Sequence, residues 1–140
     1  MKKIKRFYPF QIRWAEPLGL DETPYLYRWT ILFFNFSVRV HHWIRSDVKP
    51  HFHDHASNFI SICLWGNYYN VTKRGRRKIR AGQIWYSNAL NQHRLEIPKC
   101  GTWTLLFCGR PYNKWGFFVN GEKLRPSKYF KIFNHPNFGE

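Results

Sequence analysis

The sequence predicts an all-β single domain, a barrel or sandwich built from many short strands. Three observations predict it. Apolar residues recur with period two in one segment after another, and no segment keeps a convincing helical period. Aromatic residues make up 20% of the chain (13 Phe, 8 Tyr, 7 Trp), which suits pleated surfaces and large buried rings. Gly, Pro, Asn and Asp punctuate the chain at strand-length intervals, without repeats or a low-complexity linker. At 140 residues there is room for one domain with a real core.

The elements follow in order. Residues 1–24 read as an irregular N-terminal arm, broken by Pro9, Pro17 and Pro24. Residues 25–36 and 37–45 read as two strands. In the second, Val38, Val40, His42 and Ile44 alternate with Arg39, His41, Trp43 and Arg45. A turn over 47–50 precedes a long strand, bent or interrupted, from His51 to about Thr72. The basic run Lys73–Arg80 turns it back as a hairpin tipped near Gly75. Ile84–Tyr86 is a short strand, 87–92 a polar turn, and His93–Ile97 an alternating strand. After a turn over 98–101, Thr102–Cys108 is a strong strand. Trp115–Val119 and Glu122–Leu124 flank Asn120-Gly121, a common hairpin turn. A barrel thus spans 25–125, with a C-terminal tail over 126–140 packed on or near it.

The chemistry concentrates in His51-Phe-His-Asp-His55 and in His93. Side chains two apart on a strand share a face, so His51, His53 and His55 stand together while Phe52 and Asp54 face away. At about 3.3 Å rise per residue, alternate histidines lie roughly 7 Å apart, close enough for two rings to converge on one metal ion. The inner face of this strand continues through Ser57, Phe59, Ser61, Cys63 and Trp65, a mixed lining of the kind ligand pockets have. The opposite face carries Asn58, Ile60, Ile62 and Leu64. It needs its own cover, from the N-terminal segment or from a second copy in a homodimer.

Charge is the second signal. Twenty-three Lys and Arg against eight Asp and Glu give +15, a field that attracts a small anionic ligand, a nucleotide or nucleic acid. Six of the cations fall in Lys73–Arg80, which makes Arg74, Arg76, Arg77 and Lys78 the anion-binding candidates. Tyr68, Tyr69 and Tyr86 are the rings placed to stack on bases beside them. Trp85, Trp103 and Trp115 read as core or rim packing, and Arg94 as a partner for Glu96. Three cysteines without CxxC spacing fit a reducing, cytoplasmic setting rather than a disulfide framework, and Cys63 reads as a small buried residue. The basic N-terminus lacks the apolar core of a signal peptide, and Ile31–Phe34 is too short to span a membrane. No Gly-rich phosphate loop and no Ser-His-Asp arrangement occurs.

Two spacings carry a resemblance. His53-Asp-His55 followed by Gly66 resembles the first cupin motif, with Phe59 where that motif has Glu. Gly82 followed by His93 resembles the second, with Asn88 for its Pro and Leu90 for its second Gly. The wider chain, over about 25–122, is similar to small single-domain cupin-like proteins of bacteria and phages. Their "LHxF-LRSD" segment is matched by Val40–Trp43 and Ile44–Asp47, and "HDHPW-F-S-ILWGGY" by His53–Gly66 and Tyr68. "HRLEL" is matched by His93–Ile97, and "TLF-G…WGF" by Thr104–Phe107, Gly109 and Trp115–Phe117. Ala56 and Ser57 depart from that pattern.

The resemblance implies a cupin-type jelly-roll barrel (a double-stranded β-helix) with His53, His55 and His93 as three metal ligands in its interior. His51 and His41 would be additional ligands or rim residues, and strand parity leaves open whether His41 or His42 faces inward. Three imidazoles suit Fe, Mn, Ni, Co or Zn without choosing among them. Two readings stand. One is a metal-dependent enzyme of oxygenase or isomerase type on a small anionic substrate. The other is a non-catalytic module that captures a nucleotide or nucleic acid.

Overall fold

A computed structural model describes residues 10–20, 23–46 and 51–133. The turn expected over 47–50, the first nine residues of the arm and residues 134–140 of the tail lie outside them. The described chain forms two packed antiparallel layers. The first is a six-stranded sheet in the order β1-β2-β3-β10-β5-β8. Its strands are β1 (Phe10–Leu20), β2 (Thr23–Phe33), β3 (Phe36–Trp43), β5 (Phe59–Trp65), β8 (Ile84–Ser87) and β10 (Thr102–Cys108). The second layer comes from two three-stranded sheets. One holds β6 (Asn67–Thr72), β7 (Gly75–Arg80) and β9 (Arg94–Glu96) in the order β7-β6-β9. The other holds β4 (Phe52–His53), β11 (Phe117–Val119) and β12 (Glu122–Leu124) in the order β12-β11-β4. A bridge between His53 and His93, with reciprocal backbone bonds of 2.8 and 3.0 Å, sews these two sheets together. Among the described residues the fold is therefore the expected jelly-roll barrel, and two of the candidate ligands sit on its seam.

Four expectations need correction. The arm over 1–24 is not irregular throughout, because Phe10–Leu20 is a full edge strand paired with β2. Pro17 is compatible with it because an edge strand has one side free of ladder bonds. Register shifts after Arg13 and Leu18 absorb the irregularity. The tail begins as a helix, α1 (Pro126–Phe133), with proline in its first turn and Lys131 in its last. At eight residues it is too short to show a period. The long strand over 51–72 is three strands in different sheets, β4, β5 and β6. Trp65 does not continue the inner face of β5. A bulge against Trp103 leaves both Leu64 and Trp65 facing outward.

Registers across the six-stranded sheet define two faces of opposite character. Inward, Arg28, His41, Thr104 and Cys63 make one row, and Thr30, Arg39, Leu106, Ser61 and Trp85 the next. Outward, Ile12, Ile31, Val38, Phe107, Ile60 and Tyr86 stand side by side across all six strands, each substantially exposed. Trp29, Val40, Leu105, Ile62 and Ile84 form a second outward row. The apolar core has two clusters. One joins Tyr25, Leu26 and Phe117 to Tyr129 and Phe130 of α1, the other holds Cys63, Tyr68, Ile79 and Leu95, and Trp43 packs against both. No described helix is long and apolar enough to cross a membrane.

Candidate metal centre

His53 ends β4, His55 follows on the chain toward β5, and His93 precedes β9. The alternation of the HDH segment turns His53 and His55 inward, and the His53–His93 bridge sets the third ring beside them. One nitrogen of each ring lies within 4.8 Å of the other two. His55 Nε2 and His93 Nε2 are 3.4 Å apart. Two nitrogens each held about 2.1 Å from a common ion at tetrahedral angles stand roughly 3.4 Å apart, so this pair has ligand spacing. His53 and His93 are buried and His55 is half-buried.

The surroundings keep the His55 and His93 rings neutral and aim the latter. His93 donates its Nδ1–H to Asn70 Oδ1 at 2.6 Å, which leaves Nε2 with a lone pair directed at the trio. Burial pushes the His93 pKa well below the usual histidine value, and the nearby His53 ring adds to that. Burial does the same to His55, followed by His93, His53, His41 and Arg39. Neutral imidazoles are the form a metal ion needs. Phe59 packs edge-on to His55 at 4.6 Å, Phe117 lies 5.4 Å from His53, and Trp85 lies 5.7 Å from His93. The position where the first cupin motif carries Glu is thus an apolar wall.

Asp54 faces away, as its parity requires. It is buried and accepts bonds from Gly116 N–H (2.8 Å), Asn113 Nδ2 (2.9 Å) and Lys123 Nζ (2.7 Å). Its role is to hold the β11–β12 hairpin onto β4.

The other candidates separate. His51 is not at the trio's rim. Its Nδ1 meets Tyr129 Oη at 3.0 Å and its ring packs on Phe133 at 4.6 Å, so His51, just before the two-residue β4, is engaged by α1. His41 faces the cavity, while His42 stacks flat on Trp103 at 4.2 Å on the outside. His41 lies apart from the three-ring cluster. On the hairpin, Arg76 is engaged by Glu96 at 2.8 Å and by the Tyr69 ring at 3.4 Å, whereas Arg74, Arg77 and Lys78 are exposed. Arg94 pairs with Glu96 at 3.0 Å. Tyr68 is no surface stacking platform. It is 1% exposed, accepts a bond from Trp85 Nε1 at 2.7 Å, and burial raises its pKa to about 12. Cys63 is buried, its thiol turned to the carbonyls of Trp65 and Gly66.

A cavity of about 140 Å³ adjoins the trio, lined by His53, His55 and His93 and also by Arg28, Arg39 and His41. Asn70, Arg28 and Arg39 escaped sequence reasoning. For the arginines a signal was present, since Arg28 alternates with Leu26 and Thr30, and Arg39 with Ser37 and His41.

No protein-family model matches the sequence, and no curated protein matches it significantly. Solved structures do match. A putative ethanolamine utilization protein Q from Salmonella typhimurium aligns at TM-score 0.56 and 9% identity, over 74% of this chain and 95% of that one. Structures of DMSP lyases RdDddP and RnDddQII align at TM-score 0.55 and 13% identity, over 76% and 60%. Fe(II) HppE aligns at TM-score 0.54 and 12% identity, over 71% and 56%. The chain thus spans little more than half the length of the last two. At such identities the likeness concerns the fold, which is the cupin-type jelly roll.

Proposed function

We propose that this chain is a metal-dependent cupin-fold enzyme. His53, His55 and His93 hold one divalent transition-metal ion against a small-molecule cavity. One observation carries the reading: three buried or half-buried imidazoles from two segments of the chain converge within 4.8 Å, beside a cavity rather than in packed core. A bound ion there supplies Lewis acidity or redox chemistry with positions left open for substrate. The chain's own residues do the rest. Asn70 fixes the tautomer of His93, and the Phe59, Phe117 and Trp85 rings exclude water around the nitrogens. Among similar structures HppE is described with Fe(II) and others are lyases, which supports the reading by analogy of fold.

The test is metal content by mass spectrometry after purification without added ions, then after reloading with Fe, Mn, Ni, Co or Zn. About one ion per chain is expected in the wild type. His55→Ala and His93→Ala should lose it while keeping the wild-type circular dichroism spectrum. Metal-free wild type that takes up none of the five ions would overturn the reading.

A second reading, capture of a nucleotide or nucleic acid, is favoured by a groove of about 970 Å³. It runs between the basic hairpin and the β8–β9 connection and is lined by Arg74, Arg76, Arg77, Trp85 and Tyr86. It predicts binding of a short single strand that falls steeply with salt and weakens when Arg74, Arg77 and Lys78 are neutralised. Salt-independent or absent binding counts against it.

We also infer that two copies pack through the outward rows of the six-stranded sheet, and that the protein resides in the reducing cytoplasm, where its three free thiols persist.

A further inference from the structure

We infer that Arg28, Arg39 and His41 form an anion subsite inside the barrel. It takes the carboxylate of a small molecule whose other end reaches the His53–His55–His93 trio. The inference deepens the enzyme reading and rests on it for the role of the trio, but the subsite stands on its own residues. It is also distinct from the hairpin cations that the sequence brought forward.

Position comes first. On β2 and β3 the inward parity is occupied by Arg28 and Arg39, with His41 directly across from Arg28 and Thr30 across from Arg39. All three line the cavity that the trio lines. Interior sheet positions normally hold apolar residues, and a buried guanidinium is retained only where something pairs with it.

Unmet bonding comes second. His41 is 8% exposed, and neither of its ring nitrogens has a hydrogen-bond partner. Arg28 Nε is buried without one too. A buried polar atom left without a partner is destabilising unless water or a ligand meets it. Glu16 Oε1, on β1 across from Arg28, is buried without a partner as well, so one carboxylate already stands near; the three orphan nitrogens, two of them on His41, leave room for a second oxygen-rich group.

Charge comes third. Among the described residues neither Arg28 nor Arg39 makes an ion pair, and Arg39 Nε donates only to Ser37 Oγ, at 3.2 Å. Glu16 sits across β1 from Arg28, but its carboxylate lies 3.9 Å from Arg13. Arg13, Arg28 and Arg39 outnumber Glu16, which leaves positive charge in surplus. Burial and then the neighbouring Arg39 lower the Arg28 pKa, and Glu16 offsets them only in part. His41 is neutral, so it serves as a hydrogen-bond donor rather than a third cation.

Size then selects the ligand. About 140 Å³ is the volume class that takes a benzene-sized guest, on the order of six non-hydrogen atoms. A nucleotide does not fit inside. A short carboxylic acid does, with its planar carboxylate matched to the guanidinium fork.

The experiment uses metal-free full-length protein, titrated at constant ionic strength with sodium propionate, inorganic phosphate or chloride. Thermal unfolding and the fluorescence of the cavity tryptophans are the readouts. Propionate should stabilise the wild type saturably and chloride should not. Arg28→Met and Arg39→Met should each weaken propionate binding roughly tenfold or more, as loss of a charged hydrogen bond does. Arg39→Lys, which keeps the charge but loses the fork, should weaken it less and guards against misfolding of the Met variants. Arg74→Ala/Arg77→Ala should bind propionate as the wild type does. Equal binding by the arginine variants, a response to chloride, a response to phosphate alone, or no saturable response would each overturn the inference. Propionate binding in a protein that takes up no metal would uphold the subsite and remove only the metal reading.

Discussion

The buried imidazole of His41 sets a residue-scale expectation for acid stability. Burial, then Arg39 and Arg28, lowers its pKa from 6.5 to about 3 in the folded chain. The unfolded chain therefore binds one more proton at this residue between those two values. Stability from a neutral His41 is fully present above pH 6.5 and is lost as pH falls from 6.5 toward 3. The slope is about 1.4 kcal/mol per pH unit. His55 and His93 shift in the same direction and add to it. Urea unfolding of metal-free protein at pH 7, 6, 5 and 4 should show a falling midpoint. His41→Leu should show a shallower fall, by roughly 2–3 kcal/mol between pH 6 and 4. Parallel curves for the two proteins would contradict the buried neutral state. The alternation of His53 with His55 was legible in the sequence because strand parity alone dictates it. Asn70 was not, since its bond to His93 depends on β6 pairing with β9, and a chain read segment by segment carries no cross-strand register.

Elements were legible where one local rule decided them. Asn120-Gly121 closes the β11–β12 hairpin, and Thr102–Cys108 is a strand to the residue. They were obscured where tertiary context overrode a local cue. Pro17 reads as a strand breaker, yet it lies on the sheet's edge, and α1 owes its existence to the burial of Tyr129 and Phe130 rather than to any period. The faces of β3 were left open by strand parity for the same reason. On β3 the apolar Val38 and Val40 look outward while Arg39 and His41 line the cavity. The two glycines of the cupin resemblance separate conformation from packing. Gly66 (φ +83°) and Gly82 (φ +87°) share a left-handed backbone, but a Cβ on Gly66 would meet Thr102 Oγ1 at 2.8 Å and Gly101 O at 3.1 Å. A Cβ on Gly82 would meet nothing within 4 Å. Gly82→Ala should cost about 1–2 kcal/mol, the backbone penalty alone. Gly66→Ala should cost that plus about 1–3 kcal/mol of overpacking. Denaturant titration of both variants checks the order, and equal losses would show that the β5–β6 turn relaxes freely.

At the scale of the whole molecule, net charge and the outward face of the six-stranded sheet stand in tension. A chain with 23 Lys and Arg places none of them in the two outward rows that begin at Ile12 and Trp29, nor among Phe10, Phe33 and Phe36 beside them. A covered aromatic ring removes about 150–250 Å² from water. Half-exposed Phe10, Phe33, Phe36, Phe107 and Tyr86 thus offer on the order of 100 Å² each, and the aliphatic residues bring the face to about 1,000 Å². That exceeds the ~300–600 Å² patch of an ordinary monomer and the ~800 Å² that each partner gives to a stable interface. The second copy proposed above would suit it, because a twofold contact of like with like needs no charge on either side. Covering the outer face also braces the strands that carry Arg39 and His41 on their inner side. Light scattering at micromolar concentration should therefore return twice the single-chain mass. Phe107→Glu, at the centre of the row that crosses all six strands, should return the single-chain mass with its circular dichroism unchanged, and Val38→Glu should do the same. A wild type that stays at single-chain mass at tens of micromolar, or a charged variant that stays double, would mean that this apolar face is covered by something other than a second copy.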